Sequence, residues 1–275
     1  MKKILFLLLV LSTVLIFADE KRTYEHGAFA NGTVTYLFGD NVRVRTSPEI
    51  KNNISDTLAI GTEVSVIKKD KEQMIGQINQ NWYEVSYTVK GKKKTGFIWG
   101  ALLALTYIEN NGYYYLVGLK EYRKNSLYGE CRLVKDNKLI SKVEIMPHST
   151  DFVENAVYGY SASSSIFNDK SLSGVEKIIK LSFTYEACGY SYGEIFIGLN
   201  KNKMIFLLKT ENVSEAGLFA YTENAIFPSD KGGIPDVIQK KILGEEYSEE
   251  SDEYKVETDL IEKYKLVGDK IQKTK

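Results

Sequence analysis

Apolar and polar residues alternate with a period of two along several short segments of this chain, and this pattern constrains its fold more than any other feature. In the stretch DNVRVRTSPEI, which begins at Asp40, two valines alternate with Arg43 and Arg45 before Pro48. Such alternation is typical of a half-buried strand, and proline ends a strand because it cannot donate to a sheet. We therefore expect a short strand with its valines inward and its arginines in water.

The same pattern recurs through residues 33–105, here called the N-terminal unit. GTVTYLFG, TEVSVI, WYEVSY and the stretch Thr95–Trp99 read as further strands, with glycine, asparagine and aspartate turns between them. Lys68–Glu72 reads as a charged, solvated interruption, and no helical period of useful length is present. Short strands with frequent turns predict a small all-β barrel.

Residues 106–275, here called the C-terminal unit, are also predicted to be β-rich, with a topology that the sequence does not specify. Asp136-Asn137, Asn200–Lys203 and Gly268-Asp269 are candidate hairpin turns. The acidic run GEEYSEESDEYKVETD is expected to be a solvated loop. A composition with 19 tyrosines and only 4 prolines among 275 residues favours β structure throughout.

The first 18 residues have the features of a secretory signal. Two lysines precede an apolar run, Ile4–Phe17, which ends at the small residue Ala18. The run is shorter than the ~20 residues that a membrane-spanning helix needs. We therefore expect an exported protein, periplasmic or extracellular, with no transmembrane segment after signal cleavage. Residues 19–32 have no periodicity and are expected to form a flexible leader.

A series of short motifs in the N-terminal unit resembles the bacterial SH3-like domain over about residues 33–104. Their order along the chain carries the resemblance: Asn41-Val42-Arg43, Ser47-Pro48, Gly61-Thr62-Glu63-Val64, Trp82-Tyr83-Glu84-Val85 and Gly96-Phe97-Ile98. The chain departs from the compact form of that family at Lys68–Asn81, which is longer. The resemblance implies an SH3-like barrel that acts as a targeting or binding module.

Two groups of residues are candidates for such binding. Residues 33–103 contain ten basic and seven acidic residues, an excess of positive charge that suits binding to anionic wall polymers. The alternative is that a lysine-rich hairpin only keeps a sheet edge soluble. Aromatic residues offer a groove for peptide or glycan, although at least one tryptophan of so small a barrel must lie in its core. The candidate ligand-binding residues are Arg43, Arg45, Trp82, Tyr83, Trp99, Lys92 and Lys93.

The chain has two cysteines, Cys131 and Cys188, both in the C-terminal unit. In an exported protein the first expectation for such a pair is one disulfide. The alternative is two buried thiols, because a free cysteine behaves as a small apolar residue.

No complete catalytic set is visible in the sequence. Cys188 and His148 are a candidate cysteine–histidine pair, but Cys188 does not begin a predicted helix, whose dipole lowers the pKa of a catalytic cysteine. The serine run Ser161–Ser165 lacks the glycine-flanked turn of a nucleophile elbow. Glu186 and Glu194 flank CGYSYG, so a hairpin there would bring the two carboxylates together as a glycosidase requires, but such pairs are common by chance. Neither the zinc spacing nor the calcium-loop order is present. The sequence predicts no catalytic residue, metal or cofactor.

These observations predict an all-β protein, with an SH3-like barrel followed by a second β-rich domain. We expect a non-catalytic cell-envelope protein that binds wall peptide or glycan, or an envelope protein. Equal numbers of basic and acidic residues, 36 of each, give no reason to expect nucleic acid. Two alternatives stay open: a wall hydrolase with the SH3-like domain as its targeting arm, and an assembly or structural protein of the envelope.

Overall fold

The fold is all-β, as predicted. The computed structural model describes residues 27–123, 126–145, 160–185 and 188–274. These residues form eighteen strands in three antiparallel sheets, together with one short 3-10 turn at Gly100–Leu102. The predicted signal sequence, residues 1–18, lies outside the described residues.

The N-terminal unit forms a six-stranded sheet with the strand order β1-β4-β5-β6-β2-β3. Its centre is the hairpin of β4 and β5, to which β6 pairs along its whole length. Short β2 joins the sheet through one bridge, between Arg45 and Phe97. The six strands are β1 (Val34–Tyr36), β2 (Val42–Arg45), β3 (Ile54–Leu58), β4 (Glu63–Ile75), β5 (Ile78–Val89) and β6 (Lys92–Trp99).

The next four strands form a second sheet with the order β10-β9-β8-β7. This sheet lies between the other two. Its strand β7 contacts β1 of the first sheet and β11 of the third, and its strand β10 contacts β14 of the third. Its strands are β7 (Thr106–Asn110), β8 (Tyr113–Arg123), β9 (Ser126–Lys135) and β10 (Lys138–Ile145).

The last eight strands form a meander in which each strand pairs with the next one along the chain. The sheet curls, so that its last strand approaches β14. The strands are β11 (Tyr160–Phe167), β12 (Lys177–Tyr185), β13 (Tyr192–Asn200), β14 (Lys203–Glu215), β15 (Phe219–Ile226), β16 (Ile238–Ser248), β17 (Glu253–Val267) and β18 (Lys270–Thr274).

The three predicted hairpin turns of the C-terminal unit are confirmed. Asp136 and Asn137 join β9 to β10 with φ angles of 49° and 57°. Lys201 and Asn202 join β13 to β14 with φ angles of 46° and 66°. Two consecutive positive φ angles match the right-handed twist of the flanking strands, which is why short hairpins favour them. Gly268 begins the turn from β17 to β18.

Two segments expected to be solvated loops are strands instead. Lys68–Glu72 lies inside β4, which continues through two irregularities in its register with β5. Most of the acidic run belongs to β16 and β17, where Tyr247 lies opposite Tyr254 and their rings are in edge contact at 5.4 Å. Pairing with the neighbouring strand of the hairpin stabilises these charged strands. Their charged side chains remain in water because they extend from the sheet surface.

Buried side chains join the two units across residue 105. Phe38 is 2% exposed, and Arg132 of β9 donates from Nη1 to its carbonyl oxygen at 2.6 Å. Gly118 of β8 leaves room for the Phe38 ring, since a Cβ there would lie 2.4 Å from Phe38 Cγ. Asn137 Nδ2 donates to the carbonyl oxygen of Ile60 at 2.8 Å. The domain boundary at residue 105 stays a prediction, and extensive packing crosses it.

The described part of the predicted flexible leader is packed in place. Phe29 is 2% exposed and its ring meets that of Tyr83 edge-on at 5.3 Å. Gly32 N donates to the carbonyl oxygen of Val66 at 2.8 Å. One aromatic residue in an aperiodic stretch is enough to anchor it, because burial of a large ring offsets the entropy lost by a few residues.

Candidate functional site

A groove of about 300 Å³ opens in the N-terminal unit beside β2. The turn before β2 and β2 itself supply half of its lining residues, and Ile75 at the end of β4 also lines it. Four of the predicted binding residues line it. We call it the Arg–Trp groove, and its lining residues are Asp40, Asn41, Val42, Arg43, Arg45, Ile50, Ile75, Trp82, Trp99 and Leu102.

Both tryptophans of the chain belong to this groove. Trp82 and Trp99 lie opposite each other on β5 and β6, and their exposed fractions are 3% and 8%. The Trp82 indole N–H donates to Gln73 Oε1 at 2.7 Å. That of Trp99 donates to the carbonyl oxygens of Gln73 and Gln80 at 3.1 and 3.2 Å. The indoles are therefore fixed, and they form an apolar floor rather than a protruding stacking platform.

The long β4–β5 hairpin places two further residues at the groove, Gln73 and Ile75, which the sequence did not indicate. Ile75 and Ile78 are paired across the turn Gly76-Gln77, so the hairpin extends past the tryptophans and places Gln73 against both indoles. Ile75, together with Ile50 from the loop after β2, adds the apolar walls. The extra length at Lys68–Asn81 was visible in the sequence, but no residue pattern showed that Ile75 lines the groove or that Gln73 contacts both indoles.

The two arginines of β2 differ in their surroundings. Arg45 is half-buried and donates from Nη1 to the carbonyl oxygen of Asn52 at 2.8 Å, which holds the loop after β2. Arg43 is exposed and has no hydrogen-bond or ion-pair partner among the residues that the structure describes. A guanidinium without a partner at the rim of an apolar groove is available to an anionic group.

Asp40 is the acid of the groove, and its carboxylate is used within the fold. Its Oδ1 accepts hydrogen bonds from the backbone N–H groups of Asn41 at 2.9 Å and Ile60 at 3.3 Å. Asn41 has a φ of 51°, a conformation that asparagine tolerates better than most residues. Asp40 therefore fixes the turn before β2, and no ion pair joins it to Arg43 within the described residues.

Three other predicted binding residues lie outside the groove. Tyr83 is wholly buried, its hydroxyl accepts from the Phe29 N–H at 3.2 Å, and burial raises its pKa. Lys92 and Lys93 are exposed at the opposite end of the β5–β6 hairpin. Lys93 is six positions before Trp99 on β6, which is roughly 20 Å along a strand. Lys93 lines a separate polar cleft beside Ser86 and Thr88.

The predicted disulfide between Cys131 and Cys188 is not formed in the structure. Cys131 is a wholly buried free thiol on β9, and burial raises its pKa. Cys188 is an exposed free thiol in a turn between β12 and β13, which are strands of a different sheet. The alternative of two buried thiols is wrong for Cys188. Nothing in the sequence around either cysteine indicated that Cys131 and Cys188 lie at different sheets.

The residues considered for catalysis are only partly described. His148 and Glu186 lie outside the described residues. Glu194 forms an ion pair with Lys180 at 3.1 Å, as an ordinary cross-strand neighbour does. Among the side chains that the structure describes, no three of His, Cys, Asp and Glu are grouped closely enough to hold a metal ion.

Comparisons with known proteins identify no relative of this chain. No family model, curated protein or solved structure matches the chain. The resemblance to the bacterial SH3-like domain therefore stays a prediction. Within the described ranges, no helix has the length and apolar character needed to cross a membrane.

Proposed function

We propose that this chain is an exported, non-catalytic protein of the cell envelope whose N-terminal unit binds wall peptide or glycan at the Arg–Trp groove. The observation that carries the proposal is the position of Arg43, whose charge has no partner within the described residues, beside the floor of Trp82 and Trp99. Export is supported by the apolar run Ile4–Phe17 behind two lysines.

The composition of the groove favours a ligand with both an anionic and an apolar part. Arg43 offers a planar set of donors that matches a carboxylate or phosphate. Ile50 and Ile75 line the groove beside the indoles, where a sugar ring or the side chain of a short peptide would pack. A volume of about 300 Å³ is at the small end of ligand sites, so the groove suits a short peptide or a few sugar rings.

The tryptophans provide a direct assay for this site. Because Trp82 and Trp99 are the only two in the chain, intrinsic tryptophan fluorescence reports on the groove alone. Titration of soluble wall fragments into the exported form of the protein should change this fluorescence in a saturable way. Co-sedimentation with insoluble wall material should give the same ranking of variants.

The variant that tests the proposal is Arg43→Ala, and its matched control is Lys93→Ala. Both remove one exposed cation from the same sheet, but only the first is in the groove. Loss of a charge-assisted contact should weaken binding by about tenfold in Arg43→Ala, while Lys93→Ala should bind as before.

Three results would contradict the proposal. The first is absence of binding to wall material, and the second is equal loss of binding in Arg43→Ala and Lys93→Ala, which would point to unspecific attraction by basic residues. The third is release of soluble fragments from insoluble wall material by the pure protein, which would favour the hydrolase alternative. Capture of an envelope protein in place of wall material would redirect the proposal to a protein partner.

A further inference from the structure

A second cleft lies in the C-terminal unit, where the curled eight-stranded sheet brings β14 and β18 close together. Its volume is about 460 Å³, within the range of small-molecule sites. It is distant in the chain from the Arg–Trp groove and shares no residue with it. Its lining residues are Phe206, Leu207, Leu208, Lys209, Lys240, Tyr264, Asp269, Lys270 and Ile271.

Lys209 is the most unusual group in this cleft. Its side chain is only 21% exposed, and the nearest carboxylate oxygen, on Glu211, is 3.6 Å from Nζ. Burial lowers the pKa of Lys209, and Glu211 only partly opposes that effect. An anion placed against Nζ would replace the water that the ammonium has lost.

The other charged groups around the cleft are paired more closely, apart from Lys270. Lys240 Nζ is 2.8 Å from Glu223 Oε1 and 3.8 Å from Glu262 Oε2. Asp269 forms an ion pair with Lys203. Lys270 is exposed and has no partner among the residues that the structure describes.

The ion pairs around the cleft leave one positive charge in excess. Within the part of the chain that the structure describes, five lysines and four carboxylates make up the cleft and the ion pairs that adjoin it. Their balance suits a ligand with a single negative charge, because a second one would lack a partner. The lysines are Lys203, Lys209, Lys240, Lys270 and Lys273, and the carboxylates are those of Glu211, Glu223, Glu262 and Asp269.

Apolar side chains lie beside these lysines. Phe206 is 39% exposed although it lines a concave surface, and Leu208 and Ile271 continue the apolar wall. We propose that this cleft binds a small carboxylate with an apolar tail. The carboxylate lies against Lys209 and Lys270, and the tail covers Phe206 and Ile271.

Calorimetric titration of the whole exported chain with octanoate tests this proposal. Octanoate should bind with one-to-one stoichiometry, while octan-1-ol, which has the same tail without the charge, should bind at least about tenfold more weakly. Tryptophan fluorescence should stay unchanged, because both tryptophans are in the Arg–Trp groove. Equal affinity for acid and alcohol, or a tryptophan signal that follows the titration, would overturn the proposal.

Lys209→Met is the decisive variant, because methionine keeps an apolar stem and removes the ammonium. We expect it to weaken octanoate binding by about tenfold or more. The control is Lys241→Met, which removes an exposed lysine beside Lys240 on β16 that does not line the cleft. If Lys209→Met does not fold, Lys270→Met should show the same loss to a smaller extent. Unchanged affinity in a folded Lys209→Met or Lys270→Met variant would overturn the assignment, and so would equal losses in the control.

Discussion

Arg132 of β9 holds Phe38 of the N-terminal unit in two ways. Its Nη1 donates to the Phe38 carbonyl oxygen at 2.6 Å, and its guanidinium carbon lies 3.9 Å from the centroid of the Phe38 ring. The same guanidinium binds the carboxylate of Glu130, whose side chain is 3% exposed, at 2.8 and 2.9 Å. One side chain thus joins the two units and neutralises a buried acid.

Replacing Arg132 by methionine should destabilise the whole protein. The change leaves the Phe38 carbonyl without the Arg132 donor, and among the described residues it leaves Glu130 with Lys142 and Lys120 as its cationic partners, at 3.3 and 3.5 Å. We expect a loss of about 2–3 kcal/mol in the free energy of unfolding, measured by denaturant titration. Arg123→Met is the control, since Arg123 is 39% exposed and its ion pairs are on the surface. Equal effects of the two variants would show that Arg132 has no special role at the junction.

The stability that Glu130 contributes should depend on pH. Burial alone would raise the pKa of Glu130, but Arg132 and Lys142 together hold it below its ordinary value of 4.5. A carboxylate with a depressed pKa in the folded state stabilises the protein fully above its unfolded pKa, and this contribution is lost as the pH falls through the folded value. The stability difference between wild type and Glu130→Gln should therefore be largest near about pH 7 and shrink below about pH 4.5. A difference that stays constant down to about pH 3 would contradict this prediction.

Any side chain at residue 118 should destabilise the protein, because the Phe38 ring occupies the space beside Gly118. A Cβ at residue 118 would lie 2.4–2.7 Å from three ring atoms of Phe38, which is itself buried. Gly118→Ala should cost about 1–3 kcal/mol of stability through overpacking. Gly244→Ala is a suitable control, because the nearest atom to a Cβ there is 3.3 Å away on Thr258. Adding Phe38→Leu to Gly118→Ala should cost less than the two single changes together.

The two cysteines should react at very different rates in the native protein. Cys188 is exposed, whereas Cys131 is wholly buried. A thiol-specific chromogenic reagent should modify one thiol per native chain and a second one only after unfolding. Detection of no free thiol in the unfolded, unreduced protein would instead support a disulfide and contradict the structure.

Local patterns predicted the all-β class, several strands and the three hairpin turns of the C-terminal unit, but not the two charged strands or the position of the cysteines. The turns at Asp136-Asn137 and Gly268-Asp269 were predictable because their residue types suit tight turns whatever surrounds them. The acidic run was misread, because charge alone does not distinguish a loop from a strand whose partner is its own hairpin neighbour. The disulfide was misjudged because a pairing of Cys131 with Cys188 depends on which sheet each belongs to.

At the candidate site, too, some features follow from the sequence alone and others from the tertiary structure. The sequence by itself determined an all-β chain in which Arg43 alternates with buried valines and Trp82 and Trp99 lie on strands. Only the tertiary structure decided that the two tryptophans face each other, that Arg45 is used to hold a loop, and that Tyr83 is buried. The physical reason is the range of the interactions involved. Strand alternation depends on residues two positions apart, whereas burial and pairing depend on side chains from strands that are distant along the chain.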